Sequence, residues 1–197
     1  MPQTAVSSDK ARLSAEDWVD AALETIKESG VGAVAVESLA KRLGVTKGSF
    51  YWHFPNREAL IDAALRKWEE NDIRTFERSL SIIKDPHDKM RAVFRRTRKE
   101  ITSHVLFCHL FMAVDHPRVA EVMQRVSERR IDFLCQGFME LGMAPADARN
   151  RARLTFMNYV GFLQYYQNFK SARMDLDELD EYVEHVIRTL IPEPATA

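Results

Sequence analysis

The sequence predicts an all-α chain of about nine helices: an N-terminal three-helix domain built around a helix-turn-helix, joined to a larger helical body. Three observations carry this. Apolar residues recur at spacings of three and four along most of the 197 residues, the period of a helix with one buried face. Glycine is sparse, with seven in the chain, and Gly44, Pro55, Pro86, Pro117 and Gly142 stand where the apolar runs break. Residues 39–60, LAKRLGVTKGSFYWHFPNREAL, read as two short helices joined by a tight turn, with basic and hydroxylated residues gathered on the second.

That stretch has a physical logic. Leu39, Ala40 and Leu43 share one face of a short helix, and Lys41 and Arg42 lie off it. Gly44 suits a helix end that turns sharply, because glycine enters the left-handed region without steric cost. Val45 returns an apolar residue to the core, and Thr46 is predicted to cap the second helix with its hydroxyl. Phe50 faces inward, Pro55 stops the helix, and Asn56 caps a third that opens with Arg57 and Glu58. The second helix of a helix-turn-helix enters the major groove by its N-terminal end. Thr46, Lys47, Gly48 and Ser49 occupy that end: a lysine can donate to guanine O6 and N7, and hydroxyls can address several base edges. Tyr51 and His53 are placed for phosphates, which set register and carry little sequence information. A helix-glycine-helix pattern also occurs in ordinary helical domains. The run Phe50-Tyr51-Trp52-His53-Phe54 favours the reader, since so short a helix cannot bury all of it and exposed aromatics beside Lys, Arg and His require a partner.

These residues carry a resemblance. Gly44-Val45-Thr46-Lys47-Gly48-Ser49-Phe50-Tyr51-Trp52-His53-Phe54, followed by Arg57-Glu58-Ala59-Leu60, is similar to the signature of the TetR family of transcriptional regulators. The resemblance covers about residues 12–72, with the motif at about 35–54; beyond it the chain is similar to the family in length and helical pattern alone. It implies a first helix over about 14–29 with Trp18, Ala21, Ala22, Thr25 and Ile26 inward and Glu16, Asp20 and Glu24 as a solvated acidic face. It also implies a helix over about 36–43 whose Glu37 and Ser38 face phosphate. Lys10 and Arg12 then form an arm on the DNA, or else belong to a flexible tail over residues 1–11. The expected DNA-binding set is therefore Lys10, Glu37, Ser38, Lys41, Thr46, Lys47, Gly48, Ser49, Tyr51, Trp52, His53 and Arg57.

The helical period continues through the expected body at 73–192. Ile61, Ala64, Leu65, Trp68, Ile73, Phe76, Leu80 and Ile83 mark one long helix out of the reader, and Asp85-Pro86 a turn. Met90, Val93, Phe94, Thr97 and Ile101 mark the next helix. Its basic face (Arg91, Arg95, Arg96, Arg98, Lys99) is expected to be solvated or paired with Glu69, Glu70 and Asp72. Residues 105–114 form a short apolar helix. Pro117 opens another, with Val119, Val122, Met123, Val126, Phe133, Leu134, Gly137, Phe138 and Leu141 inward, and Gly142 ends it.

Residues 149–170 are apolar around most of a helix's circumference, which predicts burial on more than one side. The last helix has a clean stripe. Both are expected to pair with their copies as a four-helix seam in a homodimer, through Leu154, Gly161, Tyr165, Leu179, Val183, Val186, Ile187 and Leu190, rather than to be a monomer's core. A dimer also presents two reading helices to the half-sites of a pseudo-palindromic operator in double-stranded DNA. The aromatic wealth of the body supplies an apolar pocket, expected to involve Trp68, Phe94, His104, Phe107, Phe111, Phe133, Phe156, Tyr159, Phe162 and Tyr166, with Asn158, Gln164 and His109 as further polar anchors. The resemblance implies that a small, largely apolar effector held there releases a repressor from its operator.

Composition bounds the alternatives. The formal net charge is −1, which excludes a general polyanion binder; seven basic and seven acidic residues balance over 1–57, the basic ones bunched at the motif. Cys108 and Cys135 lie in apolar stretches and read as buried thiols of a cytoplasmic protein. His104, Cys108, His109 and His116 admit a metal site at a spacing that matches no familiar ligand set, so no metal or cofactor is expected. No signal peptide, 18-residue apolar span, nucleophile elbow, paired catalytic carboxylates or glycine-rich phosphate loop is apparent. An enzyme and a membrane partner are thereby disfavoured, and a helical interaction module is the remaining rival.

Overall fold

Ser14 starts the first helix by a reciprocal cap. Its hydroxyl accepts from the Asp17 N–H at 3.3 Å, and Asp17 accepts from the Ser14 N–H at 2.7 Å, so two end groups of α1 (Ala15–Ser29) are satisfied. The computed structural model describes residues 13–80, 82–99, 104–169 and 174–193, apart from the side chains at 76, 77, 79 and 97–99. The expectations for Lys10, Arg12, Ile101 and the two termini, and for the Phe76, Thr97, Arg98 and Lys99 side chains, lie outside the described residues. Within them the chain is helical, without strands: α2 (Val36–Leu43), α3 (Lys47–Phe50), α4 (Arg57–Leu80), α5 (Pro86–Lys99), α6 (Val105–Phe111), α7 (Pro117–Glu140), α8 (Pro145–Asn168) and α9 (Leu176–Leu190), with a short 3-10 turn, Val31–Ala33, after α1.

Helices α1–α3 and the start of α4 close around Trp18, Ile26, Leu39, Phe50, Leu60 and Ile61, all buried. Trp18 meets Phe50 edge to face at 5.3 Å. The acidic face of α1 is more than solvated: Lys67 of α4 bridges Glu16 at 2.8 Å and Asp20 at 2.6 Å, one turn apart. Asn56 accepts from the Ala59 N–H at 2.9 Å and starts α4. This helix passes without a break through residues 72 and 73, so the expected domain boundary falls inside it. It packs on α1 and also meets α7.

The body is built on the α7–α8 pair, with α5 and α9 packed on each other at one side and α6 bridging α8 to α1. Pro145 at the first turn starts α8 four residues earlier than the sequence reading, and Ala148 and Ala152 continue its buried stripe. On the basic face of α5, Arg96 donates to the Thr75 carbonyl of α4 at 3.3 Å. Arg95 goes to Glu184 of α9 at 2.8 Å. Glu69 is held by Arg125 and Arg129 of α7 at 2.8 and 2.9 Å, and Asp72 by Arg130 at 2.7 Å. Complementary charge along the sequence left the partner open; the packing of α4 against α7 chooses it. Among the described residues no helix is long and apolar enough to cross a membrane.

Candidate nucleic-acid interface and ligand cavity

The turn between α2 and α3 rests on Gly44, whose φ of 68° is left-handed. The Val45 N–H then closes on the Ala40 carbonyl at 3.0 Å and the Gly44 N–H on that of Lys41 at 3.2 Å, ending α2 within one residue. Thr46 has the extended backbone of a capping residue, but its hydroxyl makes no capping bond; the Ser49 N–H bonds instead to the Thr46 carbonyl at 3.0 Å. A four-residue helix has little room for the usual side-chain cap, and its exposed hydroxyl is left for another acceptor or donor.

Thr46, Lys47 and Gly48 are exposed at the start of α3, and Ser49 is half-buried. Tyr51 and Trp52 follow at 54% and 82% exposure, while Phe50 and Phe54 turn inward and stack at 5.7 Å. The aromatic run is therefore divided between core and solvent. Lys47 pairs with Glu37 across the two helices, which holds the Glu37 carboxyl below its ordinary range and raises the lysine, so Lys47 stays charged. Ser38 and Lys41 are exposed on α2, and His53 is half-buried. Arg57 is engaged within the domain: Nε donates to the Val34 carbonyl at 2.5 Å, Nη2 to that of Val31 at 2.9 Å, and Nη1 to Glu58 at 2.8 Å. Its guanidinium closes the loop ahead of α2, a task invisible to sequence because the acceptors are backbone carbonyls more than twenty residues away.

A second feature lies within the body, a cavity of about 110 Å³ bounded by α4, α5, α7, α8, α9 and His104. Phe94, Phe156, Tyr159, Phe162 and His104 line it. Trp68, Phe107, Phe111, Phe133 and Tyr166 are not in its lining. Phe107 is buried behind it against Tyr159, and Phe111 is half-buried beside Phe107. Val183 and Val186 line the cavity, and Leu179, Ile187 and Leu190 are buried within the chain. The α9 stripe thus faces α5 rather than solvent. On α8, by contrast, Leu154, Met157, Gly161, Tyr165 and Phe169 form an exposed apolar stripe.

His104, Asn158 and Tyr159, all named from the sequence, stand in the cavity's polar lining, and Arg130 joins them unannounced. Arg130 sits four residues after buried Val126 and four before buried Leu134, on the inward stripe of α7. A charged residue in that register was the available signal. Its Nη2 donates to Asp72 at 2.7 Å, its Nη1 to the Tyr159 hydroxyl at 3.1 Å, and its carbon lies 4.5 Å over the Phe107 ring. Burial works against the guanidinium's charge, but Tyr159 and Asp72 more than offset it, and its pKa is raised. Burial also raises Tyr159, which stays neutral and shares a hydrogen bond with His104 Nδ1 at 2.9 Å. The Arg130 Nε is buried and has no hydrogen-bond partner.

His109, in α6, instead approaches the reader: its Nδ1 donates to the Ile26 carbonyl at 2.7 Å, the acceptor that also ends α1 through the Gly30 N–H. Among the described residues no three His, Cys, Asp or Glu side chains come together for a metal ion.

Residues 19–64 match the family model of bacterial regulatory proteins, tetR family. The chain is similar to the class D tetracycline repressor of Escherichia coli, 43% identical over 53 residues that cover 27% of this chain and 24% of that one. The match thus spans about a quarter of the length of such relatives. Similarity to the HTH-type transcriptional regulator AcrR of Shigella flexneri is 25% over 195 residues, covering 90% and 89% of the two chains. The fold superimposes on the crystal structure of AibR in complex with isovaleryl coenzyme A and operator DNA with a TM-score of 0.68 at 19% identity, over 90% of this chain and 98% of that one.

Proposed function

We propose that the chain, whose residues 19–64 match the model of bacterial regulatory proteins of the tetR family, is a cytoplasmic, sequence-specific DNA-binding regulator of transcription, acting as a homodimeric repressor. The observation that carries this is the start of α3: Thr46, Lys47 and Gly48 stand exposed beyond the sharp Gly44 turn, with Tyr51 and Trp52 beside them. Lys47 would leave Glu37 for a base edge, while Tyr51 and Lys41 meet phosphates. The AibR structure, which holds operator DNA and isovaleryl coenzyme A, supports the same division of labour here.

The exposed stripe of α8 supports the dimer. It lies on the face opposite Phe156 and Leu163, which are buried, and is suited to an isologous contact about a two-fold axis. Helix α9 contributes by bracing α8 from within. The cavity supports a small effector. Its volume, about 110 Å³, is that of a site for a small molecule. An effector there would bind with negative coupling to DNA, by favouring a spacing of the two readers that misfits the operator.

Selection of genomic fragments by the purified protein, then a salt titration on the best duplex, tests the reading. A short pseudo-palindrome is expected, with affinity falling by close to one power of salt per phosphate contact. Lys47→Ala and Tyr51→Ala should each lose operator affinity while remaining folded dimers. Equal, weak binding to every fragment would favour an interaction module.

A further inference from the structure

We propose that the cavity is an acid-binding site: Arg130 receives the carboxylate of a small organic acid whose apolar portion lies among Phe94, Phe156, Phe162 and Val183. The inference rests on the reading of this cavity as the effector site. A guanidinium offers five N–H donors in a planar fork, and a carboxylate bridges two of them at once. Asp72 takes Nη2, Tyr159 takes Nη1, and Nε is left buried without an acceptor. A buried donor left unmade is costly, and one on a cationic group more so, which makes the empty Nε an invitation to an acceptor that arrives with a ligand. The lining's other guanidinium, Arg96, donates to the Thr75 carbonyl at 3.3 Å, and Thr155 and Asn158 are neutral, so Arg130 with its unmet Nε is the anchor for a carboxylate.

The neighbours refine the specificity. Tyr159 is kept neutral by burial, so it presents no competing anion. Asp72 is the native competitor, already at 2.7 Å from the same guanidinium. An incoming carboxylate must share Arg130 with it, which sets the affinity of the site below that of a free arginine in an apolar wall. A cavity of about 110 Å³ calls for a small acid, and octanoate serves as the probe.

The test is direct calorimetric binding of sodium octanoate and methyl octanoate to the full-length protein at pH 7, repeated on Arg130→Lys and Asp72→Asn. The acid is expected to bind the unaltered protein more tightly than the ester. Arg130→Lys, which keeps the charge and loses the fork, should weaken the acid about tenfold to a hundredfold and leave the ester unchanged. Asp72→Asn should tighten the acid by removing its competitor, a result that a merely structural role for Asp72 does not produce, and it decides the matter if Arg130→Lys fails to fold. Equal or tighter binding of the ester, or acid binding indifferent to both substitutions, overturns the proposal. Operator affinity is measured in parallel. Neutral ligands that release DNA while acids stay inert would sink the acid and spare the effector site; acids that bind without touching operator affinity would do the reverse.

Discussion

Met157→Glu should split the dimer without harming the subunit. Met157 is 66% exposed in the isolated chain, in the middle of the α8 stripe between Leu154 and Gly161. Fully burying a side chain of this size is worth about 1.5–3 kcal/mol, so completing the burial across a seam contributes about 1–2 kcal/mol per copy. A two-fold interface carries the change twice, giving about 2–4 kcal/mol, a weakening of roughly 30-fold to 700-fold in dimer Kd. Two carboxylates brought near one axis would add to this. Within the subunit the side chain is largely in water, and glutamate is as good a helix former as methionine, so the monomer's stability should move by no more than about 0.5 kcal/mol. Sedimentation velocity over a wide concentration range reads the Kd, and urea unfolding of the dissociated chain reads the monomer. Operator binding should fall with the dimer, since a lone reader grips one half-site. An unchanged Kd would refute the placing of the seam on α8. A wild-type chain that is monomeric yet binds its operator fully would refute the dimer itself.

Three further outcomes follow from the packing. Gly137→Ala should lower stability by about 1–3 kcal/mol in thermal unfolding, because the new Cβ runs into the sulfur of fully buried Met90 where α7 crosses α5; Gly32→Ala, exposed and with nothing within 4 Å, is the control and should not destabilise the fold. Cys108, buried and pushed up to about 11 by desolvation, carries about one thiolate per thousand molecules at pH 8, so iodoacetamide should label it only as fast as the protein opens; rapid native labelling would contradict its burial. The Glu69 carboxyl is held below its ordinary range, first by the Arg125 hydrogen bond, so it contributes stability above about pH 4.5 that disappears as pH falls through the lowered value. Glu69→Gln should therefore cost about 1.5 kcal/mol or somewhat more in urea unfolding at pH 7 and little at pH 3, and an equal loss at both would show that charge is not the cause.

The reader was legible because its causes are local. A left-handed glycine, a run of small residues, a proline stop and an aromatic pentad act within about twenty residues, and Gly44, Phe50, Asn56 and exposed Trp52 take the places their chemistry dictates. Helix identities in the body were legible for the same reason: period and breaking residues such as Pro86, Pro117 and Gly142 are properties of neighbouring residues. What those helices face was not. An apolar stripe states that something covers it and is silent on what. Leu179, Val183 and Ile187 met α5 of their own chain, while Leu154 and Met157 of α8 stayed exposed.

The polar residues show the divide most clearly. Arg57 and Arg130 look in the sequence like two more surface cations among many. One closes a loop onto the Val31 and Val34 carbonyls, and the other becomes the buried charge of a cavity. Hydrophobic period, turn chemistry and motif spacing determine that this chain is helical and that it carries a helix-turn-helix, since each depends on residues close in sequence. The partners of its charges, the lining of its cavity and the free face of α8 depend on contacts between residues dozens of positions apart. Only the packing of α4, α7, α8 and α9 brings those together, and only there do desolvation and hydrogen-bond geometry decide which arginine is structural and which is left with a donor to offer.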